Sequence, residues 1–361
     1  MAKKALIAMS GGVDSSVAAA LMKERGYDCI GVTMKLYSGE DAGGCRSNTC
    51  CTAEDAADAR QVADALDIPF YVLNFTDDFQ KQVIERFVRI YEQGGTPNPC
   101  IDCNRYMKHE KLYRRAAALH CDLIVTGHYA RIEQDPVSGR YLLKKARNAA
   151  KDQSYVLYFL SQEQLSHSAF PLGEFESKEA VRARAAQYHF LNARKHDSQD
   201  ICFVTNGDYG DFIEKYRSVQ YPEGDFVDEA GHLLGRHRGI IRYTIGQRKG
   251  LGLSLPAPMY VAGKDMAENR VILTTGSLLY SDSLLAGSFN WIKYETPPAA
   301  LRVTAKTRYK AKEVPATAEP LPDGSVRIRF DIPERAIAAG QAVVLYDGED
   351  VVGGGTILRA E

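Results

Sequence analysis

A chain of 361 residues with 45% apolar and 25% charged side chains has the composition of a soluble globular protein, not of a disordered tail, a collagen-like fibre or a disulfide-knotted miniprotein. Lys and Arg number 45 and Asp and Glu 46, so the formal net charge is −1, which excludes a uniformly basic coat but not a basic face on one domain. No apolar run reaches the ~18 residues of a membrane helix, and the short run after Lys3-Lys4 is too brief for a secretory signal. We expect a cytoplasmic protein whose eight cysteines serve as thiols, ligands or catalysts, not as bridges. At roughly 150 residues per domain, two or three domains are expected.

The first two-fifths of the chain alternate apolar strands with amphipathic helices. Strands are predicted over Lys4–Met9, Cys29–Met34, Phe70–Phe75 and Leu123–Thr126. Helices are predicted over Ser15–Arg25, Thr52–Leu66, Asp78–Tyr91 and Tyr106–Leu119, with Gly26 stopping the first and a Thr52/Asp55 capping box opening the second. That alternation predicts an α/β fold with a doubly wound parallel sheet, which binds ligands at the carboxyl ends of its strands. From about residue 206 glycines crowd the sequence and a small mixed middle domain is expected. From about 283, alternating runs at Arg302–Tyr309, Ser325–Phe330 and Ala342–Tyr346 predict a C-terminal β-barrel. The expected domains are 1–205, 206–282 and 283–361.

Ala8 and Met9 lead into Ser10-Gly11-Gly12-Val13-Asp14-Ser15-Ser16, between the first strand and the first helix. Two glycines let the backbone turn so that several N–H groups face one anion, and the helix adds its positive end. Ser15 and Ser16 offer hydroxyls, while Asp14 is too acidic to meet phosphate directly and is expected to work through Mg²⁺. No Lys follows the glycines, so this is not the Gly-Lys-Ser/Thr phosphate loop. It resembles the pyrophosphate loop of the ATP pyrophosphatase superfamily, whose members adenylate an oxygen, release pyrophosphate and let a nucleophile displace AMP. Met34 and Gly127, at the ends of the second and fourth strands, are then expected beside the adenine.

Cys100-Ile101-Asp102-Cys103 follows Thr96-Pro97-Asn98-Pro99 and precedes a helix. A thiol at a helix N-terminus has a lowered pKa and becomes a nucleophile, and Cys103 reads as best placed for that. Cys202 closes Asp197-Ser198-Gln199-Asp200-Ile201-Cys202-Phe203, at the end of the α/β region. Cys45, Cys50 and Cys51 lie in a glycine-rich loop and read as incidental thiols.

These motifs, with Thr126-Gly127-His128-Tyr129, Lys151-Asp152-Gln153-Ser154-Tyr155, Tyr243-Thr244-Ile245-Gly246-Gln247-Arg248 and Gly340-Gln341-Ala342, resemble the bacterial tRNA-specific 2-thiouridylases over nearly the whole chain. The resemblance implies ATP-dependent thiolation of a wobble uridine, with ATP and Mg²⁺, tRNA and a sulfur donor as partners. That donor would be a cysteine desulfurase or a sulfur-relay protein. It implies that Cys103 is the nucleophile, that Cys202 carries a persulfide and that Asn98, Pro99 and Cys100 face the target base. His128, Lys151, Asp152, Gln153, Arg308, Tyr309 and Gln341 would contact tRNA. One position departs from the family pattern: Cys100 stands where an Asp with an acid/base role is expected. Cys100, Cys103 and Cys202 together are the ligand set of a [4Fe–4S] cluster with one open iron, an alternative that stays open beside the persulfide. An amide- or thio-forming synthetase of the same superfamily acting on a small metabolite is the other reading. Arg302, Lys306, Arg308, Lys310 and Lys312 read as one basic stripe suited to phosphate. Arg236, His237, Arg238, Arg242, Arg248 and Lys249 make the middle domain locally basic.

Overall fold

The computed structural model describes residues 2–37, 53–195, 201–204 and 207–361. Five parallel strands form the first sheet in the order β3-β2-β1-β4-β7. They are β1 (Lys4–Ala8), β2 (Asp28–Lys35), β3 (Phe70–Asn74), β4 (Leu123–Val125) and β7 (Ser168–Ala169). Side chains alternate across a strand, so β1 feeds two cores. Leu6 joins Val32, Phe79 and Phe87 on one face, while Ala5 and Ile7 join Val17, Ala59 and Val62 on the other. Both faces are covered, as a parallel sheet requires. Helix α1 (Val13–Glu24) springs from the carboxyl end of β1, and α2 (Ala53–Ala65) covers the same face.

Two longer helices run over 76–92 and 99–118, each with a π-helical stretch, at Gln80–Ile84 and Cys103–Leu112. The second starts seven residues before the predicted Tyr106, because Pro99 occupies its first turn with Asn98 as N-cap. Cys100 therefore sits on the first turn, and Cys103 opens the second, one turn deeper than the sequence suggested.

The middle segment is more regular than expected. A helix over Tyr209–Arg217 precedes a four-stranded sheet ordered β10-β11-β8-β9, built from β8 (Gly224–Val227), β9 (Leu233–His237), β10 (Tyr260–Asp265) and β11 (Arg270–Thr274). Its apolar side chains Ile213, Phe226, Val261 and Leu273 continue the core that begins at Leu6.

The last sheet closes on itself. Strands β12 (Tyr280–Trp291), β13 (Leu301–Lys306), β14 (Val314–Pro320), β15 (Val326–Arg335), β16 (Ala342–Asp347) and β17 (Asp350–Ala360) run in the order β12-β15-β14-β13-β16-β17, and β12 also pairs with β17. The barrel carries an extension that the sequence did not announce. A hairpin of β5 (Ala130–Gln134) and β6 (Tyr141–Lys145) leaves the first sheet and joins β17 through Lys144 and Asp350. A shared core of Ile101, Tyr155, Leu157, Ala342, Val344 and Tyr346 fills the seam, so the barrel is packed onto the cysteine-bearing helix.

Candidate active site

The glycine turn forms at the carboxyl end of β1. Gly11 has φ +72, and a Cβ there would lie 2.3 Å from the carbonyl oxygen of Asp55. Gly12 is the N-cap of α1 in extended conformation. The Ser15 hydroxyl donates to the Gly12 carbonyl at 3.0 Å and accepts from the Ser10 N–H at 3.1 Å, which fixes the loop from within. From outside, the Asn192 amide donates to the Gly11 carbonyl and to Ser16 Oγ, both at 2.9 Å. The leading N–H groups of α1 are left for an external anion. Gly127 closes the far wall, where a Cβ would lie 2.8 Å from the Asp14 carbonyl carbon and the Ser15 nitrogen. Met34, at the end of β2, is buried against the core.

Asp14 is placed differently from its sequence role. Both carboxylate oxygens lie 2.7 Å from Lys178 Nζ, and the Tyr129 hydroxyl donates to Oδ1 at 2.8 Å. In this state Asp14 is a lysine-bound carboxylate, not an open metal ligand. Beneath the loop, Lys195 binds Asp55 at 2.7 Å and Asp58 at 2.6 Å.

Tyr129 also links this loop to the segment 152–157, which packs on the cysteine helix. Its N–H donates to Gln153 Oε1 at 2.9 Å, and its carbonyl accepts from the Gln153 N–H at 2.8 Å. One residue back, the Asp152 carbonyl accepts from the Tyr309 hydroxyl at 3.2 Å. The barrel grips the approach to the cysteine helix from the other side. Gln341 donates to the carbonyls of Thr96 and Pro97 at 3.0 and 3.1 Å, and the Thr96 N–H donates to Ala339 at 2.8 Å. Loop, cysteine helix and barrel thus meet around the segment 152–157, through Asp14, Tyr129 and Gln153 on one side and Ile101, Tyr155 and Tyr346 on the other.

Within that arrangement Cys100 is exposed, while Cys103 and Cys202 are half-buried and pack against one apolar cluster that includes Phe79 and Phe203. Among the described residues, which include all three thiols, no group of three or more His, Cys, Asp and Glu side chains is placed to hold a metal ion. The three cysteines are therefore not assembled as a cluster's ligand set. Asp102 is a carboxyl the motif reading passed over. Burial pushes it up to about 6 despite Arg86, whose Nε lies 3.5 Å away. Cys45, Cys50, Cys51 and Asp197–Asp200 lie outside the described residues.

The expected tRNA contacts divide into presented and withdrawn groups. Arg308 is exposed and Tyr309 is 36% exposed, in the turn that follows β13. Lys151 is half-buried. Asp152 spends its carboxylate on the Ala146 and Ser154 N–H groups and the Ser154 hydroxyl. Gln153 and Gln341 are likewise occupied by the backbone contacts above. His128 is 6% exposed, bound to Thr126 at 2.7 Å and packed against His109 and Phe170, so its side chain does not reach a partner. Burial lowers the pKa of both histidines, His109 to about 3, and keeps them neutral.

The basic stripe is not continuous. Strand β13 ends at Lys306, whose ammonium lies 5.9 Å from the ring centroids of Tyr155 and Tyr309. Arg302 is paired with Asp331 at 2.7 Å. In the middle domain Arg242 binds Asp208, Asp211 and Glu214 and serves the fold.

Lys178, Tyr129 and Asn192 were missed because each acts through a partner far along the chain. Lys178 and Asp14 are 164 residues apart. A sequence signal did exist for Lys178: a lysine on the first turn of a helix opposes the helix dipole and invites the question of what holds it.

A parallel sheet whose first strand ends in a glycine-turned, anion-ready loop defines a nucleotide-binding α/β domain, here fused to two β domains. Comparison with known proteins agrees and goes further. Residues 3–206 match the tRNA methyl transferase HUP domain, 210–275 the tRNA methyl transferase PRC-barrel domain and 281–357 the aminomethyltransferase beta-barrel domain. The chain is 48% identical to the tRNA-specific 2-thiouridylase MnmA of Clostridioides difficile, over 100% of this chain and 99% of that one. It is 50% identical to the protein of the same name from Acetivibrio thermocellus, over 98% and 99%. The chain belongs to the tRNA-specific 2-thiouridylase family.

Proposed function

We propose that this chain is a tRNA-uridine 2-sulfurtransferase that uses ATP to replace the C2 oxygen of the wobble uridine by sulfur. The observation that carries the reading is the Asp14–Tyr129–Gln153 connection, which ties an anion-binding loop to the turn Ser154–Leu157, whose Tyr155 and Leu157 share a core with Ile101 between Cys100 and Cys103. Full-length similarity to named 2-thiouridylases supports the choice of substrate.

Uridine C2 resists substitution because its oxygen is a poor leaving group. When O2 attacks the α-phosphorus of ATP, the bond to the bridging oxygen breaks and pyrophosphate leaves with the electron pair. The O2–AMP ester now has a leaving group. The outer sulfur of a Cys202 persulfide attacks C2 and AMP departs. Cys103 thiolate then attacks Sγ of Cys202, releasing the new sulfur onto C2. In the other order, Cys103 first releases hydrosulfide, which attacks C2 itself. Both orders end with Cys103 and Cys202 oxidised to each other, so two electrons from an external thiol reset the pair. A cysteine desulfurase or a sulfur-relay protein supplies the persulfide sulfur.

The flanking groups fit this assignment. Asn98 caps the start of the helix, Pro99 shapes its first turn and Cys100 follows on that turn. Ala8, Met9 and Ser10 to Ser15 hold the phosphates, with Met34 and Gly127 at the adenine. Arg308, Tyr309 and Lys151 carry tRNA contacts, while Asp152, Gln153 and Gln341 set the backbone those contacts stand on. His128 acts through packing alone. Mg²⁺ commonly binds one or two carboxylates plus substrate phosphates, and Asp14 fits that role once Lys178 is drawn off it. Bound there, the ion would neutralise phosphate charge. Among the described residues the three thiols are not gathered as metal ligands, and the steps above do not run through a [4Fe–4S] cluster.

The test is direct. The protein is incubated with ATP, a cysteine desulfurase with cysteine, and unmodified tRNA, and AMP and 2-thiouridine are measured. Both are expected in equal amounts. AMP formation without thiouridine, or dependence on a small amine in place of tRNA, overturns the reading in favour of an amide-forming synthetase.

A further inference from the structure

A cleft of about 560 Å³ opens between the cysteine helix and the barrel. Arg105, two residues past Cys103, lines it from the helix, Phe159 and Ser161 from the segment that follows the 154–157 turn, and Ser288, Phe289 and Asn290 from β12. Its size is that of a small-ligand pocket, about 300–1,000 Å³, and none of its residues takes part in the steps above.

The helix side of the cleft favours anions. Arg105 is exposed, and among the described residues no ion pair engages it. Its guanidinium lies 5.5 Å from the ring centroid of Tyr106, and that of Arg86 lies 5.1 Å from the same centroid, so two cations share one ring. The nearby carboxylates are spent elsewhere: Asp102 lies 3.5 Å from Arg86, and Glu110 lies 3.1 Å from Arg114.

The barrel side is built at a cost. The register of β12 against β17 slips between Gly287 and Asn290, so Ser288 and Phe289 together oppose Gly355. Ser288 has φ 49, a left-handed backbone that disfavours any residue with a Cβ. Across from it, Gly353-Gly354-Gly355 makes room for rings. A Cβ at Gly355 would lie 2.7 Å from Phe289 Cδ2, and one at Gly354 would lie 2.7 Å from Tyr158 Cδ2. Asn290 then ties the bulge to the catalytic domain, donating to the Tyr158 and Leu160 carbonyls at 2.7 and 3.0 Å. Strand glycines and a strained residue weaken a barrel, and such strain gathers at functional sites.

We infer that this cleft binds one nucleotide, with its phosphate on Arg105 and its base against Phe289. A guanidinium offers the planar, two-pronged donor that matches phosphate, and a base of any identity stacks on an aromatic face. The nucleotide is either one unit of the tRNA chain outside the wobble position or a free mononucleotide. The first source rests on the tRNA-dependent reading above, and the second does not.

The full chain is compared as wild type, Arg105→Ala, Arg105→Lys and Phe289→Leu, with the ATP site saturated by a non-hydrolysable ATP analogue. Binding of unmodified tRNA is measured against salt concentration, and binding of uridine 5′-monophosphate by calorimetry. If tRNA supplies the nucleotide, Arg105→Ala should weaken tRNA about three- to tenfold and lower the salt dependence by about one ion. Arg105→Lys should keep the salt dependence and recover only part of the affinity, because lysine lacks the fork. Phe289→Leu should weaken tRNA with the salt dependence unchanged. If a free nucleotide is the ligand, the same variants should lose the monophosphate and bind tRNA as wild type does. Affinity for the ATP analogue should stay within about twofold throughout, as expected of a separate site. Loss of the analogue together with tRNA in Arg105→Ala marks a structural role and overturns the inference, and where Phe289→Leu fails that control the two Arg105 variants decide. An Arg105→Ala enzyme that binds tRNA and the monophosphate as wild type does also overturns it, and slower sulfur uptake from the desulfurase in that variant would assign the face to a protein. Wild type that binds no tRNA would instead overturn the thiolation reading, leaving the monophosphate to decide the cleft.

Discussion

A methyl group added at Gly11 should cripple nucleotide binding, while the same group at Gly12 should not. At Gly11 the new Cβ would lie 2.3 Å from the Asp55 carbonyl oxygen and 2.8 Å from its carbon and Cα. Asp55 cannot retreat, because it is buried and its carboxylate is held by Lys195 at 2.7 Å. Overpacking of this kind costs about 1–3 kcal/mol. The backbone adds to it, since φ is +72 and an L side chain there costs about 1–2 kcal/mol. The sum for Gly11→Ala is about 2–5 kcal/mol, falling on the loop where it meets α2. Gly12 is the control. Its φ of −89 and ψ of 159 suit any residue. A Cβ there would meet nothing nearer than Ser10 Oγ at 3.6 Å. The loss of a favourable N-cap and the gain from a stiffer unfolded chain nearly cancel, leaving a change within about 0.5 kcal/mol. Global denaturation of a chain with three domains is not one transition, so the assay is local. Amide exchange is followed at Met9, bonded to Val32, and at Ser16, bonded to Gly12, alongside the ATP dissociation constant. Gly11→Ala should exchange faster at these amides and bind ATP at least tenfold more weakly, with Gly12→Ala near wild type. Equal behaviour of the two variants would refute the packing argument.

Three further outcomes are expected. With a cysteine desulfurase and cysteine as the sulfur source, Cys103→Ser and Cys202→Ser should abolish thiolation and Cys100→Ser should reduce it only in part. A dead Cys100→Ser variant beside an iron-replete anaerobic wild type would refute the persulfide route and restore the cluster. Arg308→Ala should weaken all tRNAs alike and lower the salt dependence of affinity by about one ion, read from the slope of log affinity against log salt. Stability should fall on mild acidification. Burial holds His109 down to about 3 in the fold against 6.5 unfolded, so below pH 6.5 the unfolded chain takes up a proton the native one refuses. From pH 7 to about 5.5 that removes on the order of 1 kcal/mol, and His128, lowered by burial too, acts in the same direction. Asp102, raised to about 6 by burial, works oppositely and returns a smaller amount. A flat or rising profile over this window, by hydrogen exchange of the β4 amides, would show that the histidine pair is not buried neutral.

What the sequence made legible is what its own neighbours enforce. The Ser10–Ser16 turn is readable because a β-strand, two glycines and a helix start fix it within seven residues, and Ser15 closes it locally on Gly12. The helix after Pro99 was readable in kind but not in register. The sequence placed Cys103 at the threshold of a helix starting at Tyr106, whereas the proline at the first turn puts Cys100 there instead. The hairpin Ala130–Lys145 was silent for a different reason. Its outward residues, Arg131, Glu133 and Lys144, look solvated, yet Arg131 is 4% exposed and paired with Glu349 of the barrel at 2.8 Å. The charge that hid the strand is the charge that docks it.

The same logic separates the chemistry from its control. Cysteines and a phosphate loop announce themselves, because few other uses explain those residues in that order. The groups that set their electrostatics do not. Lys178 lies 164 positions from Asp14, and Gln341 lies 245 from the Thr96 carbonyl it holds. Neither residue has a local periodicity to betray it, and both act only once the sheet and the barrel have closed. The basic stripe failed from the opposite side. Five cations at even spacing suggested a phosphate track, but β13 stops at Lys306 and Arg302 already has Asp331. Charge in a sequence has no address until its counter-ion is known, so the proposed tRNA face falls to the cations left exposed, Arg308 among them.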